Sequence, residues 1–153
     1  MNNVNQNQSR AAFTIVELLT VMAVIAILIA IAIPSFRGMQ NEARKTKAQG
    51  DVRVVKIAVE SYYKNNGQYP AEANYQTTLL NASPRILEAP LYDPFGATST
   101  TAYMYDLSTG DPATARYYVI YSVGPASNGT AAVDNNGTVT TSNDAIWESN
   151  GHL

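Results

Sequence analysis

Residues 13–33 constrain the chain more than any other stretch. They read FTIVELLTVMAVIAILIAIAI, and only Thr14, Glu17 and Thr20 among the 21 are polar. At about 1.5 Å of rise per residue a helix here is roughly 31 Å long, close to a hydrocarbon core of about 30 Å. A secretory signal has a shorter apolar stretch, a basic start and a small-residue cleavage site behind it. Here the run leads straight into more helical sequence, so a membrane-spanning anchor is the better reading than a signal or a buried core helix. Basic residues are few before the run (Arg10) and more numerous after it (Arg37, Arg44, Lys45 and Lys47). Charge alone therefore orients the chain with its larger part on the cytoplasmic side.

Behind the anchor the pattern changes to that of a water-soluble helix. Ala48, Val52, Val55, Val59 and Tyr62 recur at spacings of three and four, which places them on one face, while Arg44, Lys45, Arg53, Lys56 and Glu60 fall elsewhere. The helix is predicted to end in NNGQYP, with Gly67 in the left-handed position after the last turn and Pro70 blocking continuation. Pro34 removes one helical hydrogen bond where the anchor meets this second half. YQTTLL can make a short helical turn, and SPRILEAPLYDPFG, broken by three prolines, reads as loop. Strand candidates follow: TAYMYDL, RYYVIYSV, GTVTT and DAIWES. Asn136-Gly137 predicts a two-residue hairpin turn that pairs AAVD with TVTT. The expected fold is α+β. One long amino-terminal helix, half membrane-spanning and half amphipathic, packs the Val52, Val55, Val59 and Tyr62 stripe against a small antiparallel sheet containing Tyr118 and Ile120.

Composition narrows the function classes. The 153 residues carry 10 Lys and Arg against 12 Asp and Glu, so bulk charge gives no support to nucleic-acid binding. There is no cysteine, which excludes disulfides, a thiol nucleophile and thiolate metal sites. The single histidine, His152, is next to last, no base is placed for a Ser or Thr nucleophile, and no glycine-rich phosphate loop follows a strand. The chain reads as a non-enzyme. Asn81, Asn128 and Asn136 fit the glycosylation acceptor pattern, although turn preference accounts for all three.

AFTIVELLTVMAVIAILIAIAIPSF resembles the amino-terminal segment of type IV pilins and pseudopilins. That family has a polar leader, a cleavage site before Phe, Glu at the fifth mature position and Pro at the twenty-second. Counted from Phe13, Glu17 is fifth and Pro34 is twenty-second. YYKNNGQYP, YDPFG, and YSVG followed later by NDAIW are similar to segments of the major pseudopilin of type II secretion. Ala12 stands where the family usually has Gly.

The resemblance implies a pilin-like organisation: a leader at 1–12, a membrane and assembly helix at 13–36, and a soluble domain at 37–153, helical to about 65. It implies cleavage between Ala12 and Phe13 by a prepilin peptidase, methylation of the new terminus, and a homopolymer whose other partners are minor pseudopilins and an inner-membrane assembly platform with an ATPase. The leader would lie in the cytoplasm of a bacterium and the soluble domain outside the inner membrane, against the charge count. Glu17 would pair with the freed amine of Phe13 on a neighbouring subunit, with Pro34 shaping the assembly helix; the alternative is that Glu17 only reaches the membrane interface. Calcium is implied in the Asn- and Asp-rich stretch 124–144, where the Val123 carbonyl, Asn128, Asp134 and Asp144 match the family's ligands by position. The functions in view are a type II secretion pseudopilus subunit, a surface type IV pilin, or an anchored binding domain that never polymerises.

Overall fold

The computed structural model of the chain describes residues 13–153. A single helix, α1, runs from Ile15–Asn66, 52 residues with Pro34 inside it. The chain divides into two compact units, one ending at Met39 and the other covering Gln40–Leu153.

In the first unit every described side chain from Phe13 to Met39 is exposed. The helix there is long and apolar enough to cross a membrane by length and composition. Leu18, Val21, Ile25, Leu28 and Ile31 each leave about half or more of their surface open.

In the second unit the same helix has a buried face. Ala48, Val52, Val55 and Val59 are fully buried and Tyr62 packs at the margin of the cluster, as the spacing predicts. The helix stops where Gly67, at φ 72°, donates its N–H to the Tyr63 carbonyl at 2.8 Å. This left-handed closure is one that glycine adopts without strain. A 3-10 turn (Glu72–Asn74) and the short helix α2 (Tyr75–Leu80) follow. The strands are β1 (Met104–Leu107), β2 (Tyr118–Ser122), β3 (Thr130–Val133), β4 (Val139–Ser142) and β5 (Ile146–Ser149).

The strands make two sheets where the sequence suggested one. β1, β2 and β5 form an antiparallel sheet with β2 in the middle, and β3 pairs only with β4. The reason lies in β2, whose two faces are both apolar. Tyr118 and Ile120 belong to the cluster around Val52, Val55 and Val59. Val119, between them, belongs to a second cluster with Ala131, Val133 and Val139 of the β3–β4 hairpin, edged by Tyr117, Tyr121 and Trp147. Successive strand residues point to opposite faces, so the sheet buries one face on α1 and the other under the hairpin.

The hairpin turn also departs from the expected form. Asn136 does not have positive φ; Gly137 does, at 88°. Gly137 donates its N–H to the Asp134 carbonyl at 3.0 Å, and Asp134 donates to Thr138 at 3.1 Å. This is a three-residue connection ending in a glycine bulge, not a two-residue turn. Asp134 sets the difference, because its Oδ1 accepts the N–H groups of Asn136 at 2.9 Å and Thr138 at 2.8 Å.

Polar contacts tie the second unit's helix to its strands. Glu148 on β5 accepts from Arg53 at 3.3 Å and Lys56 at 3.2 Å. The hydroxyls of Tyr103 and Tyr118 donate to Asp51 at 2.9 Å and to Glu60 at 3.0 Å.

Candidate functional site

The start of α1 is built as a reciprocal cap. Thr14 precedes the first helical residue, and its carbonyl accepts the N–H of Leu18 at 3.2 Å. Its hydroxyl accepts the N–H of Glu17 at 3.2 Å, while Oε2 of Glu17 accepts the Thr14 N–H at 3.0 Å and the Thr14 hydroxyl at 3.0 Å. Thr-x-x-Glu is a capping box: each side chain satisfies a backbone donor that the first helical turn leaves without a partner. Glu17 also places its charge at the positive end of the helix dipole. The sequence reading weighed Glu17 as a pairing group and as an interface group and missed this third role, although T-I-V-E carries its signature. Both contacts use Oε2; among the described residues Oε1 has no hydrogen-bond partner.

Phe13 lies immediately before the cap, with 79% of its surface exposed. Ala12, the other expected processing residue, lies outside the described residues. Pro34 is internal to α1.

The calcium candidates separate into two groups. The Val123 carbonyl, Asn128 and Asp144 come together at the open end of the β3–β4 hairpin. A Cβ built on Gly124 would lie 2.1 Å from the Asp144 carbonyl oxygen, which shows how closely the two backbone segments approach. Asp134 closes the other end, four strand residues beyond Thr130, or roughly 13 Å at about 3.3 Å per residue. Hydrogen bonds within its own turn hold the carboxyl of Asp134 below the usual carboxylate range, that from Thr138 foremost.

At the open end, two of the oxygens already have partners. The Val123 carbonyl accepts the Gly129 N–H at 2.8 Å, and the Asn128 carbonyl accepts the Asn143 side-chain amide at 3.0 Å. Calcium takes six to eight oxygens, and of the expected residues only Asp144 brings a carboxylate here. Among the described residues no group of three or more His, Cys, Asp or Glu is placed to hold a metal.

A residue outside the expected set fixes this region. Asp93 of YDPFG is 3% exposed; its Oδ1 accepts the Phe95 N–H at 2.9 Å and the Ser122 hydroxyl at 2.7 Å, and its Oδ2 accepts the Val123 N–H at 2.9 Å. Phe95, in the same segment, is buried in the main cluster. The carboxylate that moors the end of β2 was not foreseen. An Asp directly before Pro, ahead of an aromatic, is the signal that marked it.

Residues 7–33, a span that includes the capped terminus and most of the exposed apolar helix, match one family. The match is to the prokaryotic N-terminal methylation motif. The motif contains Ala12, Phe13 and Glu17, and Pro34 follows it directly. Among curated relatives, the type II secretion system core protein G of Pseudomonas aeruginosa is 29% identical over 66 residues, 43% of this chain and 46% of that protein. The protein of the same name from Klebsiella michiganensis is 28% identical over 91 residues, 60% of this chain and 64% of its own length. The type IV major pilin protein PilA of Myxococcus xanthus is 34% identical over 68 residues, 44% of this chain and 31% of that pilin. These matches thus span between about a third and just under two thirds of the relatives' lengths. No solved structure matches the chain. The α+β arrangement behind the motif, a long amino-terminal helix with small antiparallel sheets, agrees with a pilin fold.

Proposed function

We propose that the chain is a structural subunit of a filament, the pseudopilus of a type II secretion system, and that it does no chemistry of its own. The observation that carries this reading is an apolar helix, opened by a methylation motif, whose described side chains from Phe13 to Met39 are all exposed. In a bilayer, lipid covers that surface. Outside it, other copies of the same helix must do so. Lipid is as apolar as the helix, so burial gives no direction to association within the membrane; close packing and polar contacts do. Ala23, Ala26, Ala30 and Ala32 permit close approach of backbones.

Glu17 supplies the polar contact. Hydrolysis of the Ala12–Phe13 peptide bond by a prepilin peptidase frees the nitrogen of Phe13, which is then methylated. On assembly the resulting cation meets Glu17 of an adjoining subunit. Oε2 keeps the helix capped and Oε1 is available to the new partner. A helix out of register would leave both charges uncompensated in a dry core, which costs more than the pair gains. Minor pseudopilins and an ATP-driven platform in the bacterial inner membrane complete the machine, with the Gln40–Leu153 unit on its outer side.

Mass spectrometry of the amino terminus of the chain isolated from its own cells tests this. The expected result is a methylated Phe13 terminus. Retention of Met1–Ala12 would remove the cation and overturn the proposal. A surface type IV pilin is the second reading, supported by the 34% identity to the Myxococcus pilin. Filaments in material sheared from the cell surface would favour it.

A further inference from the structure

Four Asn–Gly pairs occur in the chain: Asn66–Gly67, Asn128–Gly129, Asn136–Gly137 and Asn150–Gly151. This dipeptide is the most reactive toward spontaneous loss of the side-chain amide. The glycine nitrogen gives up its proton and attacks Cγ of the asparagine. A C–N bond forms in a five-membered succinimide, the bond to Nδ2 breaks, and ammonia leaves. Water then opens the ring at one carbonyl or the other, giving isoaspartate or aspartate. Glycine is the favoured second residue because it has no side chain to hinder the approach of its nitrogen.

In this fold all four of those nitrogens are engaged. Gly67 donates to the Tyr63 carbonyl at 2.8 Å, Gly129 to the Val123 carbonyl at 2.8 Å, and Gly137 to the Asp134 carbonyl at 3.0 Å. Gly151 donates to the Ser149 hydroxyl at 2.8 Å. Each bond holds the proton that must leave. Two of the leaving amides are tied as well. Nδ2 of Asn66 donates to the Tyr62 carbonyl at 2.9 Å. Asn150 donates to Tyr69 at 3.1 Å and to the Arg116 carbonyl at 2.9 Å, and accepts the Tyr118 N–H at 2.9 Å.

Of the other two, Gly129 is wedged against backbone. A Cβ there would lie 2.7 Å from the Val123 oxygen and 2.8 Å from the Ala145 nitrogen. Asn136 is exposed at a hairpin tip, where its own N–H and that of Thr138 donate to Asp134, while Gly137 is buried: a Cβ there would lie 2.7 Å from the Tyr117 ring, and its carbonyl accepts the His152 N–H at 2.7 Å.

From this we infer that the fold suppresses succinimide closure at all four Asn–Gly pairs, the exposed hairpin-tip pair Asn136–Gly137 included. The test is peptide mass spectrometry of the full chain in detergent micelles, aged in mildly alkaline buffer with and without urea. Conversion at each pair is expected to be slower in the folded chain by roughly tenfold or more. Asp134→Ala should speed conversion at Asn136 and leave Asn66 and Asn150 unchanged. Equal rates with and without urea at any of the four pairs would overturn the proposal. If Asp134→Ala unfolds the chain, all four pairs accelerate together. That result supports dependence on the fold.

Discussion

Ile27 and Ile120 are the same side chain in opposite settings. Ile27, in the unit that ends at Met39, leaves 62% of its surface exposed; Ile120, in Gln40–Leu153, leaves none. The second unit spends its apolar residues on its own interior, on both faces of one strand. The first spends none of them that way. Hydrophobicity is thus a folding term in one region and a surface awaiting lipid or other copies in the other. The lone carboxylate of the first region follows the same division. It serves its own helix through Oε2, and by the proposal above a second molecule through Oε1.

The sharpest way to break that division is at Glu17. Glu17→Ala removes both the cap and the charge, and is expected to leave membrane insertion intact while abolishing most filament assembly. Glu17→Gln separates the two roles. Glutamine can complete a capping box but cannot compensate a cation. If pairing is the decisive role, Glu17→Gln fails as Glu17→Ala does, scored by filament yield in electron micrographs. Normal filaments from Glu17→Gln would reduce Glu17 to a helix cap.

Next in size is a paired truncation. Ile120→Ala should cost about 2–5 kcal/mol, the range for deleting a fully buried aliphatic side chain. Ile27→Ala should leave the melting of the subunit in detergent unchanged, since the side chain it shortens touches no core. Thermal melts followed at the tyrosine and tryptophan bands measure both. A large loss for Ile27→Ala would show that the amino-terminal unit has an interior after all.

Alkaline pH reaches the tyrosines in the core of the second region. Burial pushes the Tyr75 hydroxyl up to about 12, and it raises Tyr105 and Tyr118 well above the usual range. In the unfolded chain these groups ionise near pH 10. Above that the unfolded state releases protons that the folded state keeps, so the stability is complete below about pH 10 and falls as pH rises through the folded values. Each such tyrosine contributes up to about 1.4 kcal/mol per pH unit in that window. Tyr118→Phe, which keeps the ring, should make the fall shallower. A pH-independent melting point between neutral and strongly alkaline buffer would contradict the packing of these hydroxyls.

The two regions also differed in how much of them could be read in advance. The apolar run, the Val52–Val59 stripe, the stop at Gly67 and the positions of the strands follow from local rules of period, propensity and capping, and all appear as expected. Two features did not, because they depend on pieces far apart in sequence or on a side chain overriding a turn preference. The separate β3–β4 sheet exists because Val119 needs a cover, which strand propensity alone does not reveal. The hairpin loop follows Asp134 and not Asn136-Gly137. At the amino terminus Glu17 and Phe13 were legible by spacing, and the cap formed by Thr14 was equally local but went unread. Asp93 was the least legible, since its partners Ser122 and Val123 lie some thirty residues away.

The smallest effect belongs to metal removal. The Val123 and Asn128 carbonyls are each committed to an N–H donor, and Asp134 is committed to its own turn at the other end of the hairpin. Asp93 already gathers the donors that close the end of β2. A chelator is therefore expected to leave the melting point of the full chain where added calcium leaves it, whereas Asp93→Ala should lower it, because Ser122 and the Val123 N–H would lose their acceptor inside the fold, at a cost of about 1–3 kcal/mol for each buried group left unpaired. A melting point raised by calcium and lowered by chelator would mean that Asp144 and Asn128 recruit further oxygens by breaking the Gly129 and Asn143 hydrogen bonds, and the second region would then be held by an ion as well as by its core.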